Sequence, residues 1–176
     1  MRVAISGKSG CGNTTVSTLV ADRMNYPIIN FTFRSLAEEK GLDFWQLCKM
    51  AETDDEIDKE LDKKQVEKAL AVEDCVLGSR LAIWMLVQAD LKVYLTASIE
   101  ERAMRIQKRE GGTFADRLKE TVERDEKDTA RYKRIYSIDN SDSSIADLVI
   151  DTDKLEPIEI AHIIVKRIHE LLAQRK

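Results

Sequence analysis

Short apolar runs alternate along the chain with longer amphipathic segments, and this alternation predicts an α/β fold. The five short runs are rich in valine, isoleucine and leucine, as expected for strands of a parallel sheet that is covered on both faces. We predict these strands at residues 2–6, 27–30, 75–77, 92–95 and 148–151. We predict helices at residues 14–24, 33–40, 44–52, 56–71, 99–109, 114–136 and 157–174. This order predicts a three-layer α/β/α sandwich around a five-stranded parallel sheet.

Two connections between the predicted strands are much longer than a crossover requires. Residues 31–74 separate the second strand from the third, and residues 96–147 separate the fourth from the fifth. A crossover needs roughly a dozen residues, so both connections contain helical insertions. They are interpreted as flaps that close over a substrate, and two solvated helical hairpins are the alternative.

The composition narrows the class of protein. A chain of 176 residues fits one domain, and its net charge of −4 does not favour a nucleic acid partner. No apolar run approaches the roughly eighteen residues that cross a bilayer, and the first apolar run is too short for a signal peptide. Three widely spaced cysteines form neither a disulfide framework nor a metal motif. We therefore expect a cytoplasmic protein without a membrane partner.

A glycine-rich segment joins the first predicted strand to the first predicted helix. It reads Gly7-Lys8-Ser9-Gly10-Cys11-Gly12-Asn13-Thr14-Thr15. It matches the phosphate-binding pattern G-x-x-x-x-G-K-[ST] except at the lysine, and it has the strand–loop–helix context that the pattern requires. The backbone amides and the helix N-terminus would bind the phosphates of a nucleoside triphosphate, and the hydroxyl of Thr14 would ligate Mg²⁺. A chance glycine turn between a strand and a helix is the alternative.

The missing lysine changes what the segment can do. Asn13 stands where a lysine normally contacts the β- and γ-phosphates, and an amide cannot neutralise the charge of phosphoryl transfer. A cation must then come from Lys8 or from arginines of the second insertion. We interpret Cys11 as a small filler residue whose thiol pKa the helix terminus could lower.

GTPase and motor-ATPase signatures are absent, which leaves a nucleoside monophosphate kinase as the hypothesis. Several stretches, taken in order, resemble cytidylate kinases, and in particular the short form typical of archaea. They include Phe33-Arg34-Ser35-Leu36, Glu56-Ile57-Asp58, Val76-Leu77-Gly78-Ser79-Arg80, Lys92-Val93-Tyr94-Leu95, Arg124-Asp125, Arg131-Tyr132 and Leu148-Val149-Ile150-Asp151-Thr152. The resemblance covers nearly the whole chain. It departs at Gly78, where the short relatives usually carry glutamate, and in a shorter link before Arg34.

The resemblance implies one domain, residues 1–176, whose parts have different functions. The core would be residues 1–30, 75–95 and 147–176, with a monophosphate-binding insertion at 31–74 and a lid region at 96–136. Arg34 and Arg80 would hold the acceptor phosphate. The lid arginines would bridge the two phosphate chains; they are Arg105, Arg109, Arg124 and Arg131.

Helical spacing bears on these side chains. Arg102, Arg105 and Arg109 fall on one helical face, and Arg124 and Arg131 lie two turns apart. A surface salt bridge is the alternative for each arginine, and Arg102 fits it equally well.

The two carboxylates at Asp58 and Asp62 share a helix face, where we expect them to be solvated. Recognition of the base or sugar by Asp58 is the other possibility. The change at Gly78 leaves the base specificity open.

The resemblance implies transfer of the γ-phosphate of ATP to CMP or dCMP with Mg²⁺. We expect the protein to be a monomer. The enzymatic alternative is a kinase that acts on UMP, AMP or a non-nucleotide alcohol. From another class, the alternative is a nucleotide-binding regulatory protein that has lost turnover.

Overall fold

The computed structural model describes residues 1–175, and its sheet contains five parallel strands. The strands are β1 (Arg2–Gly7), β2 (Ile28–Ile29), β3 (Cys75–Gly78), β4 (Leu91–Thr96) and β5 (Leu148–Asp151). Their order across the sheet is β2-β3-β1-β4-β5, so β1 lies in the centre between β3 and β4. The predicted α/β fold with a five-stranded parallel sheet is confirmed. The carboxyl end of β1 lies where the strand order reverses, which is where open α/β sheets bind ligands.

Eight helices connect and flank the strands in the described part of the chain. They are α1 (Asn13–Met24), α2 (Phe33–Lys40), α3 (Phe44–Ala51), α4 (Asp55–Leu70), α5 (Ala82–Met85), α6 (Ile99–Glu110), α7 (Phe114–Tyr136) and α8 (Pro157–Gln174). Seven of them agree with the predicted helices to within a residue. The short helix α5 was not predicted, because four residues are too few to show a helical period. None of the helices in residues 1–175 is both long and apolar enough to cross a membrane.

Side-chain caps explain where the helices of residues 31–74 begin. The side chains of Thr32, Asp43 and Asp54 accept hydrogen bonds from backbone amides in the first turns of α2, α3 and α4. Such caps satisfy amides that have no partner within the helix. Polar residues within this charged segment therefore divide it into three separate helices.

Apolar side chains form three buried clusters. One lies between the sheet and helices α1 and α8, and a second covers the opposite face of the sheet. The third consists only of residues between 31 and 61, with Leu36, Leu47 and Ile57 at its centre. The helices α2 and α3 and the first half of α4 thus bury apolar surface against one another, whereas Ala69 near the end of α4 belongs to the cluster on the sheet.

Candidate active site

The loop between β1 and α1 can be built only with glycine at two of its positions. A Cβ atom on Gly7 would lie 2.6 Å from the carbonyl oxygen of Leu95, and one on Gly10 would lie 2.8 Å from the Cβ of Arg102. Gly10 and Gly12 also have positive φ angles of 86° and 92°. The loop is therefore pressed against β4 on one side and α6 on the other, and its amides precede the N-terminus of α1.

Asn13 has a structural task within this loop. Its Nδ2 donates a hydrogen bond of 2.7 Å to the carbonyl oxygen of Gly7 and so closes the loop on itself. Within residues 1–175, its Oδ1 is buried and has no hydrogen-bond partner. The residue in the position of the usual lysine stabilises the loop, so positive charge for a phosphate must come from other side chains.

A cleft of about 1030 Å³ opens above the loop. Its floor is residues 8–16, and its walls come from α6, from Arg124 of α7, and from the segments that follow β3 and β5. The side chains of Thr14 and Thr15 are exposed at the start of α1 and line this cleft. The geometry is that of a site for a phosphorylated ligand at the carboxyl edge of a parallel sheet.

Sequence reasoning missed one wall of the cleft. Residues 153–157, between β5 and α8, line it opposite α6. This segment follows the last strand of a parallel sheet, so its position at the carboxyl edge is the sequence signal that indicates it.

Several positively charged side chains line the cleft. Lys8, Arg80, Arg105, Arg109 and Arg124 line it, together with Lys108. Among residues 1–175, neither Arg34 nor Arg131 belongs to its lining. The guanidinium carbon of Arg34 instead lies 4.9 Å from the ring centroid of Phe44, on the exposed part of α2.

The three arginines of α6 have different environments. Arg102 is only 4% exposed and forms a bidentate ion pair with Asp125 of α7. Arg105 donates to the side chain and carbonyl oxygen of Thr152 at 2.9 and 2.7 Å. Arg109 pairs with the adjacent Glu110, and 62% of its side chain is exposed. Their shared helical spacing does not make them one cluster, and the surface salt bridge considered for Arg102 is wrong because Arg102 is buried.

Arg124 connects the phosphate loop to a second cavity. Its Nη1 donates to Oγ of Ser9 at 3.3 Å. The second cavity, of about 610 Å³, lies between the end of α3 and one face of α7. Arg124 lines both cavities, and Arg131 lines the second. An ion pair between Arg80 of the first cavity and Asp128 of the second lies near this junction.

The expectation that Asp58 is solvated is wrong. Its residue is 4% exposed, and its carboxylate lies 3.7 Å from Nη1 of Arg131. Burial raises the pKa of Asp58, and the positive charge of Arg131 opposes this shift. The cause is that long side chains of α7 reach α4, where Arg134 also pairs with Asp55. Charged side chains of α4 and α7 therefore contact one another here, whereas the carboxylates of α4 were expected from the sequence to face water.

Asp62 belongs to the same contact between α4 and α7. The hydroxyl of Tyr136 donates to its Oδ2 at 2.6 Å. Burial raises the pKa of Asp62 to about 6, although the hydrogen bond from Tyr136 opposes the shift. The expectation of a solvated carboxylate is wrong at this position too.

The stability of the protein should depend on the protonation of Asp62. Its pKa is higher in the folded chain than in the unfolded chain, so its contribution is largest at low pH and is lost as the pH rises through about 6. Relative to an Asp62→Asn variant, the wild type should gain about 2 kcal/mol between about pH 7.5 and about pH 4.5. Urea unfolding of both proteins across this range measures the difference. A difference that stays constant with pH would contradict the assignment.

Cys11 is buried within the phosphate loop and is 2% exposed. Its role as a small filler is confirmed, but the idea that its pKa is lowered is wrong. Burial raises the pKa of the thiol, and the charge of Arg102 only partly offsets this. A protonated, buried thiol reacts slowly with oxidants.

Packing accounts for the glycine at the end of β3. A Cβ atom on Gly78 would lie 2.8 Å from the Cβ of Ser17 in α1. A larger residue at position 78 therefore has no room while Ser17 occupies this place. The glycine at position 78, where the short cytidylate kinases usually carry glutamate, therefore allows α1 to pack closely against the sheet.

Known proteins are similar to this chain in sequence, and others are similar to it in fold. The model of the cytidylate kinase-like family matches residues 2–154. The cytidylate kinase 2 of Borreliella afzelii is 45% identical over 169 residues, which cover 93% of this chain and 94% of that protein. The cytidylate kinase of the archaeon Sulfurisphaera tokodaii is 40% identical over 177 residues, with coverage of 99% and 98%.

A solved structure supports the fold independently. The shikimate kinase of Bacteroides thetaiotaomicron superposes with a TM-score of 0.61 at 18% identity and covers 98% of both chains. At this identity the likeness concerns the fold alone. The resemblance to cytidylate kinases is confirmed by the family match and by the curated relatives, and the chain belongs to the cytidylate kinase-like family.

Proposed function

We propose that this protein transfers the γ-phosphate of ATP to CMP or dCMP, giving ADP and CDP or dCDP. The observation that carries the proposal is the meeting of two cavities at Arg124, one of them built on a phosphate loop. Two phosphorylated substrates placed in these cavities would bring their phosphate ends towards the same guanidinium. The relatives named cytidylate kinase supply the identity of the acceptor.

In this proposal the first cavity holds ATP. The amides of residues 7–15 and the N-terminus of α1 would bind its phosphates, and residues 153–157, which line the same cavity, would lie beside its base. The exposed hydroxyl of Thr14 fits the role of a Mg²⁺ ligand, because it lies at the start of α1 and has no hydrogen-bond partner among the described residues. When bound with ATP, Mg²⁺ would offset charge on the phosphate oxygens.

The acceptor would occupy the second cavity and the space beside Arg80. Arg80 and Arg131 are both paired with Asp128, and a phosphate dianion is a stronger partner for them than a single carboxylate. Arg34 would approach the acceptor phosphate from α2. Asp58 would form part of the acceptor site, because its carboxylate lies 3.7 Å from Nη1 of Arg131. Residues 31–74 would then form the monophosphate-binding insertion and residues 96–136 the lid of one domain.

Charge stabilisation would come from Lys8 and from the arginines at positions 105, 109, 124 and 131. Lys8 and Arg124 fit this role best, because Lys8 belongs to the phosphate loop and Arg124 donates to it. Phosphoryl transfer depends mainly on positioning and electrostatics, so a chain without the usual lysine can still catalyse it. The proposed enzyme works as a cytoplasmic monomer on ATP and a nucleoside monophosphate.

A coupled assay for ADP release tests the proposed function. With ATP and Mg²⁺, we expect turnover with CMP and dCMP and at least tenfold lower kcat/KM with UMP, AMP and GMP, because a site specific for one base discriminates by about this factor or more. No turnover with any acceptor, combined with measurable ATP binding, would support the nucleotide-binding regulatory protein. A preference for UMP or AMP would contradict only the acceptor.

A further inference from the structure

The first half of the phosphate loop is anchored by an ion pair between α6 and α7. The guanidinium of Arg102 donates to both oxygens of Asp125, at 3.0 and 2.7 Å. Its Nη1 also donates to the carbonyl oxygen of Ser9 at 3.2 Å. Because Gly10 packs directly against the backbone of Arg102, the loop segment that carries Lys8 has little freedom to move.

Lys8 is the third member of this cluster. Its Nζ lies 3.7 Å from Oδ2 of Asp125, which is within ion-pair range but too long for a hydrogen bond. Its side chain is about one quarter exposed and lines the cleft above the loop. Lys8 is thus attracted towards Asp125 without being held in a fixed hydrogen bond.

The charges of the cluster do not cancel. Asp125 is already neutralised by its two hydrogen bonds from Arg102, so the charge of Lys8 remains as an excess of one positive unit. A triphosphate on the loop carries several negative charges and attracts this ammonium more strongly than a neutralised carboxylate does. Moving Lys8 to the phosphates leaves Asp125 paired, and the ion pair is not broken.

We propose that Asp125 is a positioning residue that keeps Lys8 next to the donor phosphates, in place of the lysine that the loop lacks. The proposal rests on the proposed kinase function and explains how a lysine near the start of the loop can act at its other end. Asp125 limits the directions that the flexible Lys8 side chain adopts, and Arg102 prevents Asp125 from binding Lys8 too tightly. The lid region, through Asp125, would thereby position a residue of the phosphate loop before a substrate binds.

A double-mutant cycle between Lys8 and Asp125 tests the proposal. We expect Asp125→Asn to lower kcat for CMP phosphorylation by about tenfold, with less than about a threefold change in the KM for ATP, because misplacing a charged group affects mainly the transition state. Lys8→Met should lower kcat by at least as much. In the Lys8→Met background, Asp125→Asn should change kcat by less than about twofold, because the residue that it positions is gone.

Controls separate positioning from folding. Asp125→Asn leaves Arg102 without its charged partner, so the melting temperature and ATP affinity of each variant are measured alongside kcat. Asp125→Glu retains the ion pair and shifts it by one methylene; it should fold and still show a lower kcat with unchanged ATP binding. Glu126→Gln removes a carboxylate from the exposed neighbouring position on α7 and should leave kcat unchanged.

The possible outcomes lead to different conclusions. An equal fall in kcat on Asp125→Asn in both backgrounds would show that Asp125 acts only through the packing of Arg102, and would overturn the proposal. Wild-type kcat in Asp125→Asn and Asp125→Glu, or in Lys8→Met, would overturn it as well while leaving the kinase function intact. An inactive wild type that still binds ATP would instead count against the kinase function itself.

Discussion

Replacement of Arg124 by alanine should lower kcat for CMP phosphorylation by about a thousandfold, the effect of losing an arginine that stabilises transferring phosphate. Arg124 lines both cavities and donates to Ser9 of the phosphate loop, so its charge lies where the two phosphate chains would meet. The residue is exposed, and its loss should change the free energy of unfolding by less than about 0.5 kcal/mol. Steady-state kinetics with ATP and CMP, together with thermal unfolding, measure both quantities.

Lys119 offers a matched control for this change. It lies on the same helix, is exposed, and belongs to the lining of neither cavity among the described residues. Lys119→Ala removes the same charge and should keep wild-type kinetics. An Arg124→Ala protein with a kcat within about threefold of wild type would show that the transfer point lies elsewhere.

Arg131→Ala should have two separate effects. It should lower kcat by about a hundredfold, because Arg131 would stabilise the charge that develops on the acceptor phosphate in the second cavity during transfer. It should also lower the free energy of unfolding by about 1–3 kcal/mol, because the buried carboxylate of Asp58 loses its nearby cation. Kinetics and urea unfolding separate the two effects.

A second substitution distinguishes them further. Asp58→Asn in the Arg131→Ala background removes the uncompensated carboxylate and should restore most of the stability without restoring kcat. If stability and kcat recover together, Arg131 acts through folding alone. If kcat is unaffected by Arg131→Ala in the first place, the arginine does not contact the reacting phosphates.

The fold was largely predictable because its signals are local. Each buried strand is a short apolar run, and caps such as Thr32 and Asp43 lie next to the helices that they begin. The phosphate loop was equally visible, since its glycines and its position after β1 are neighbours in the sequence. Helix α5 was missed because it has only four residues and follows directly on Arg80.

The environment of the charged side chains was less predictable. Helical spacing places Arg102 and Arg109 on related faces, yet the first is buried against Asp125 and the second is exposed. The difference depends on where α7 packs, and α7 is distant in sequence from the loop that it contacts. Asp58 was misjudged for the same reason, because the partner that covers it, Arg131, lies on another helix. Periodicity identifies a face of a helix but does not identify its neighbour.

The absent loop lysine shows both what the sequence predicts and what it does not. The sequence indicated that a cation must be supplied from elsewhere and offered Lys8 or the lid arginines. The structure adds that Asn13 closes the loop by bonding to Gly7, and that Lys8 lies beside the ion pair of Arg102 and Asp125. The motif describes the backbone of the loop well, whereas the source of charge depends on tertiary contacts.

Product identification by ³¹P NMR tests the central claim most directly. Purified protein is incubated with ATP, Mg²⁺ and CMP, and the same mixture is followed with the Arg124→Ala variant. We expect ADP and CDP to appear in equal amounts with the wild type, and both to appear at a strongly reduced rate with the variant. Formation of ADP with inorganic phosphate and without CDP, or no change in the ATP signals, would contradict this claim.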